Sequence, residues 1–274
     1  GIRLSFSDFI KFGSIAIPLI IICILGVLIL VKLLIKKVPI SSKMSYLIAI
    51  GTSVCGATAI VATAPVINAK KSEVAYAIAN ITLFGVIAML VYPYFAEWYF
   101  DNEALNAGLF LGTSIHETSQ VAAAGLIYDQ QFNSPETLNV ATVTKLIRNT
   151  FLVILIPLFA FLYNRGELKG QNYSILNIFP YFVLGFIGMI IVRNLGDQFF
   201  PLGNSNHEIW VGIIGYLKTL ATVFLTMAMA AVGISINLGE LKSMGYKPFV
   251  VGLIAAVTVG IISLIYIETL NKFI

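Results

Sequence analysis

Gly51-Thr52-Ser53-Val54-Cys55-Gly56-Ala57-Thr58-Ala59 interrupts an apolar segment that runs from 44 to 69. A second interruption, Gly112-Thr113-Ser114-Ile115 followed by His116, Glu117, Ser119 and Gln120, falls inside the apolar segment 105–125. The first run carries two glycines and three hydroxyls in nine residues. In hydrocarbon an unpaired backbone amide costs several kcal/mol, so irregular backbone survives only inside protein or beside a wet cavity. Each run therefore predicts a helix broken at depth. The half-helix after the first break, about 57–68, starts with unpaired N–H groups and a positive dipole end, which together suit an anion. The competing explanation is close helix packing through small residues.

Around these breaks the chain is apolar almost throughout. Of 274 residues, 58% are hydrophobic and 11% charged, and mean hydropathy is +0.92. An ordinary soluble domain has roughly 25% charged residues. A soluble enzyme, a nucleic-acid binder and a disordered chain are excluded. Cys23 and Cys55, the only cysteines, both sit in apolar runs, which excludes a disulfide-stapled scaffold. The net charge of +4 comes from 17 scattered basic residues and makes no nucleic-acid face. Uninterrupted spans cover about 14–35, 74–95, 137–163, 175–195, 208–232 and 247–268. A crossing helix needs about 20 apolar residues, so the chain reads as an all-α polytopic membrane protein with about eight membrane elements. Loops at Val38-Pro39, Asp101-Asn102-Glu103, Asn133-Ser134-Pro135, Gly166 to Asn172 and Gly203 to Asn206 separate them. None is long enough to divide the chain, so 1–274 reads as one transmembrane domain.

Lysine and arginine set the orientation. If both broken segments are re-entrant, ten basic residues (32, 36, 37, 43, 70, 71, 165, 169, 242 and 247) lie on the cytoplasmic side. Four (3, 11, 193 and 272) lie outside, and 145, 148 and 218 lie within spans. If both segments crossed fully, the bias would fall to eight against six. The re-entrant arrangement is the expectation. Two internal repeats agree with it. Gly1-Ile2-Arg3-Leu4-Ser5-Phe6-Ser7-Asp8-Phe9 matches Gly233-Ile234-Ser235-Ile236-Asn237-Leu238-Gly239-Glu240-Leu241, and Gly51 to Val54 matches Gly112 to Ile115. The partners of each repeat have opposite orientations, and inverted repeats with broken helices mark secondary transporters. By the same symmetry, membrane helices are expected to precede Gly1.

Three cations fall inside spans. At about 1.5 Å per residue, Lys145 is about 12 Å deep, Arg148 about 17 Å and Lys218 about 15 Å. Charges at such depth are costly and commonly functional. Lys145 and Arg148, at i and i+3, share a helix face. Glu117 is the one carboxylate placed at similar depth, which leaves an excess of about two positive charges that an anionic substrate would neutralise. The structural alternative has Lys218 reaching for the interface, Lys145 pairing with Glu117 and Arg148 binding backbone carbonyls.

Other chemistry is weakly signalled. His116-Glu117-x-x-Gln120 lacks the second histidine of a zinc-binding helix. There is no phosphate-binding glycine loop, so no cofactor or metal is expected. An intramembrane hydrolase using Cys55 or Ser53 with His116 would need a nucleophile–base contact of about 3 Å.

The chain resembles the YeiH-like family of bacterial inner-membrane proteins, described as sulfate exporters. The resemblance is carried by Gly51 to Ala59 with Pro65, Phe84-Gly85 through Tyr92-Pro93, and Gly112-x-x-x-His-Glu-x-x-Gln-Val-x-Ala-Ala-Gly125. It continues through Lys145-x-x-Arg148 and Ala228-Met229-Ala230 with Gly233-Ile234. Lys218 lies in no matching motif. The resemblance implies a fold like that of the cation/proton antiporter and bile-acid symporter group, with inverted repeats and broken helices.

The expected function is secondary transport of a small anion, with sulfate foremost. Gly51, Thr52, Ser53, Gly56, Thr113, Ser114, Lys145 and Arg148 are the expected substrate-binding residues. His116, Glu117 and Gln120 are the expected ion-coupling residues. The alternative is a sodium- or proton-coupled carrier of an organic carboxylate. The expected surroundings are a bacterial plasma membrane, and a homo-oligomer is compatible with the sequence.

Overall fold

Long apolar runs without a glycine–hydroxyl cluster fold as single helices. In a computed structural model of the chain, residues 6–134, 136–164, 182–203, 205–234, 239, 242 and 245–272 are described, and every regular element among them is helical. The uninterrupted helices are α1 (Phe6–Ile35), α4 (Lys71–Phe100) and, at the end of the chain, α11 (Lys247–Asn271). The 30 residues of α4 reach about 45 Å at about 1.5 Å per residue, more than the roughly 30 Å hydrocarbon core. Among the described residues four stretches are long and apolar enough to cross a membrane: Phe12–Ile35, Lys71–Phe100, Thr137–Phe159 and Lys247–Asn271.

The two interrupted segments each fold as a pair of short helices. The first gives α2 (Ser42–Ser53) and α3 (Ala57–Thr63), the second α5 (Ala104–Ser114) and α6 (Thr118–Phe132). Their directions follow from their neighbours. The next helix, α7 (Thr137–Thr150), packs with Val140 against Gly108 and Thr144 against Gly112, so α5 runs parallel to it. Gly125 of α6 meets Leu138, and Thr118 accepts from Asn149 Nδ2 at 3.1 Å, so α6 runs the opposite way. The pair is a hairpin that enters beside the start of α7 and returns there. The first segment closes likewise: Lys43 Nζ donates to the Asn68 carbonyl at 2.6 Å, joining the two ends. Both segments thus turn back instead of crossing.

The hairpins approach from opposite ends of α4. Ser41, before α2, donates to Glu73 near the start of α4, and Gly51 packs on Ile81 halfway along it. From the other end, Tyr128 of α6 donates to Glu97 Oε2 at 2.7 Å, and Gln120 Nε2 donates to the Thr82 carbonyl at 3.2 Å. The tips therefore meet near the middle of α4. α11 runs alongside in the same direction, with Tyr76 donating to the Gly245 carbonyl at 2.8 Å and Asn80 to the Pro248 carbonyl at 2.9 Å. Leu19, Ile20 and Cys23 of α1 close the core over the tips with Ile50, Phe110, Ile115 and Ile147.

Charge is segregated along this axis. Lys32, Lys36, Lys37, Lys43, Lys70, Lys71 and Lys247 lie at the end where α4 begins, and Glu97, Asp101, Glu103, Asp129, Glu136 and Glu268 at the end where it finishes.

Three expectations are adjusted. The span 137–163 holds as a membrane-length stretch, but a single-residue turn at Phe151 divides it into α7 and α8 (Leu152–Asn164). Just before the joint, Thr150 Oγ1 donates back to the Ile147 carbonyl at 2.7 Å, which competes with the helix ladder. The span 175–195 appears as α9 (Phe182–Phe199), and 208–232 as α10 (His207–Ile234). The repeat joining Gly1–Phe9 to Gly233–Leu241 lies mostly outside the described residues, as do Arg165, Lys169 and the loop Gly166 to Asn172.

Candidate functional site at the crossing of two hairpins

A helix leaves its last four carbonyls without internal partners. Here α2 and α5 both end in the dry centre of the molecule, and α7 supplies what they need. Arg148 Nε donates to the Ser53 carbonyl at 2.8 Å, and its two terminal nitrogens donate to the Thr52 and Thr113 carbonyls. Lys145 Nζ donates to the Val54 carbonyl at 2.8 Å and to the Ile115 carbonyl at 2.9 Å. Both side chains are fully buried, with 0% exposure. Each cation bridges the two hairpins, and neither points at lipid.

The N-terminal side of the crossing carries the opposite arrangement. Gly56 caps α3 at φ 61°, a left-handed conformation that suits glycine. A Cβ there would lie 2.8 Å from Glu117 Cγ. That close approach puts the Glu117 carboxylate against the Ala57 N–H, while Thr82 Oγ1 donates to Oε1 at 3.3 Å. The carboxylate of one hairpin thus sits at the positive dipole end of the other. At α6 the N-cap is Glu117 itself, and its side chain does not fold back to cap the helix.

All eleven residues expected from the sequence lie at or beside this crossing. Gly51 packs on Ile60 and Ile81, and Gly112 on the Ala141 carbonyl and Thr144, where a Cβ would be 2.6 Å from that oxygen. Thr113 Oγ1 is shared with Ser263 of α11 at 2.7 Å. The hydroxyls of Thr52, Ser53 and Ser114, both ring nitrogens of His116 and Oε1 of Gln120 are buried without a hydrogen-bond partner. Such groups cost roughly 1–3 kcal/mol each when left dry, so each calls for an explanation, and these lie on the two breaks and just after them. Ser53 Oγ and the ring of His116 make no hydrogen bond to each other.

Two expectations change. The excess of about two positive charges falls to about one: Lys218 lies elsewhere, on α10, and the two helix C-termini and two helix N-termini at the crossing contribute opposite half charges that cancel. Lys145 and Arg148 spend these hydrogen bonds on carbonyls rather than facing an open site. Lys218 sits half-buried on α10, which packs on α4. Thr82, a hydroxyl that could face the site or bond between helices, bonds Glu117, and Thr144 and Ser263 join the site without having been singled out. Thr144 could have been found from its place beside Lys145, whereas Ser263 lies 150 residues from Thr113 and carried no signal. Around the crossing, Thr58 and Ser119 are exposed and Thr82 and Thr118 partly so. Among the described residues no three His, Cys, Asp or Glu side chains gather as a metal centre.

The sequence profile of the family described as conserved hypothetical protein 698 matches residues 1–252. The chain belongs to this family. It is 35% identical over 270 residues to a UPF0324 membrane protein of Fusobacterium nucleatum, covering 96% of this chain and 77% of the relative. It is also 35% identical over 262 residues to a UPF0324 membrane protein of Streptococcus agalactiae, covering 96% and 75%. A Streptococcus pneumoniae relative of the same name is 34% identical over 261 residues, covering 94% and 74%. These names say membrane protein and specify no cargo. No solved structure matches. The resemblance to YeiH-like proteins is consistent with this family.

Proposed function

We propose that this membrane protein is a secondary transporter of a small anion, sulfate foremost, and that the crossing of the two hairpin tips is its site. The observation that supports this most is the meeting of two opposed re-entrant hairpins around buried cations, with unpartnered Thr52, Ser53, Ser114 and His116 groups beside them. Backbone broken at depth is tolerated where it is buried in protein or lines a wet path. The two hairpins are read as inverted repeats, and rocking of one part of the bundle against the other gives alternating access. The lysine-rich end faces the cytoplasm of a bacterial plasma membrane.

The anion binds beside the crossing, on the free N–H groups at the start of α6 and the hydroxyls of Thr58, Thr118 and Ser119. Lys145 and Arg148 act on it through their field. With Glu117 charged the crossing keeps about one positive charge, so a doubly charged anion calls for a further positive charge. A proton taken up by Glu117 would remove the negative charge nearest the incoming anion. Transport is therefore coupled to protons.

A carrier of organic carboxylates is the second reading, favoured by the unpartnered hydroxyls, which can accept from a cation as well as donate to an anion. Counterflow in proteoliposomes decides between them, with labelled sulfate set against unlabelled sulfate, succinate and chloride under sodium or proton gradients. Exchange stimulated by sulfate supports the first reading. Exchange by succinate alone supports the second, and no exchange above protein-free liposomes would overturn both.

A further inference from the structure

Five main-chain oxygens from two hairpins converge on two side chains of one helix. Arg148 takes those of Thr52, Ser53 and Thr113, and Lys145 those of Val54 and Ile115. Oxygens at the ends of unwound helices, away from water, are the ligand set that holds a bare alkali cation in many transporters. Here an ammonium and a guanidinium occupy it. We propose that Arg148 and Lys145 are positioning residues that replace a bound cation, locking the C-terminal ends of α2 and α5 together, so that the crossing takes no sodium. This deepens the reading of the site, but it rests on the carbonyl geometry and not on the substrate.

The fork of Arg148 explains why the replacement works. A planar guanidinium reaches two carbonyls of one hairpin and one of the other at once, and it stays charged when dry. One turn away on the same face, Lys145 adds a second bridge between the hairpins. Truncating either side chain orphans carbonyls in the interior and leaves a cation-shaped vacancy.

The test is thermal unfolding of the purified full chain in detergent, comparing sodium chloride with choline chloride at equal ionic strength. The wild-type midpoint is expected to be the same in both. Arg148→Ala should unfold several degrees lower, and millimolar guanidinium or sodium should restore roughly 5 °C in a saturable way, while urea and choline do not. Arg148→Lys should keep part of the stability without added cation. A saturable rise of the wild-type midpoint in sodium would overturn the proposal, as would a folded Arg148→Ala indifferent to both cations. If neither variant folds, the wild-type comparison decides alone. Because no flux is read, its failure is separate from failure of the transport reading.

Discussion

At the residue scale, Gly56 shows how tightly the crossing is specified. Its φ of 61° and the 2.8 Å that would separate an added Cβ from Glu117 Cγ act together. Gly56→Ala is expected to cost about 1–3 kcal/mol, through strain and by pushing Glu117 off the Ala57 N–H. The melting temperature should fall by roughly 2–4 °C per kcal/mol, which calorimetry or dye-monitored unfolding reads. Arg148 and Lys145 stood out from depth alone, because a charge in hydrocarbon has few explanations. Their partners were not legible. The alternative in which Arg148 binds carbonyls describes its contacts, and the arithmetic of excess charge counted Lys218, which lies elsewhere, on α10. Thr82 was visible as a hydroxyl in a span, yet only the fold brings it to Glu117.

At the element scale, the glycine–hydroxyl runs announced both breaks, and the breaks fall at 54–56 and 115–117, between α2 and α3 and between α5 and α6. The lysine count favoured turning back over crossing, and the contacts of Lys43 with Asn68 and of Gly108 and Gly125 with α7 show that the segments do turn back. The joint at Phe151 was not legible, since Leu152 to Asn164 continues the apolar run and only a back-bonded threonine marks the place. A labelling experiment reads the hairpins directly. In a background with Cys23 and Cys55 replaced by alanine, Lys43→Cys and Asn68→Cys should both react with an impermeant maleimide from the lysine-rich side. Glu103→Cys and Asn133→Cys should both react from the other. Reaction of either pair from opposite sides would mean that its segment crosses.

At the scale of the whole molecule, composition settled the class: a chain with 58% hydrophobic and 11% charged residues cannot keep such helices in water. The meeting of two tips at mid-depth follows from packing across helices far apart in sequence, such as Arg148 on Ser53, 95 residues away, and no local pattern encodes it. The charge balance at that meeting point makes the coupling testable. In the proposed reading, Glu117 is the group that takes up the coupling proton. Replacing Glu117 by Gln, which keeps the shape and removes the charge, should flatten the dependence of transport on pH without abolishing anion exchange. Unchanged pH dependence in that variant would exclude Glu117 as a proton carrier.

The most direct measurement is simultaneous: labelled sulfate entering proteoliposomes and the internal pH reported by a trapped dye, with and without an inward proton gradient. The account predicts that the gradient drives sulfate inward and that acid enters with it. Sulfate entry that ignores the gradient and leaves internal pH unmoved would contradict it.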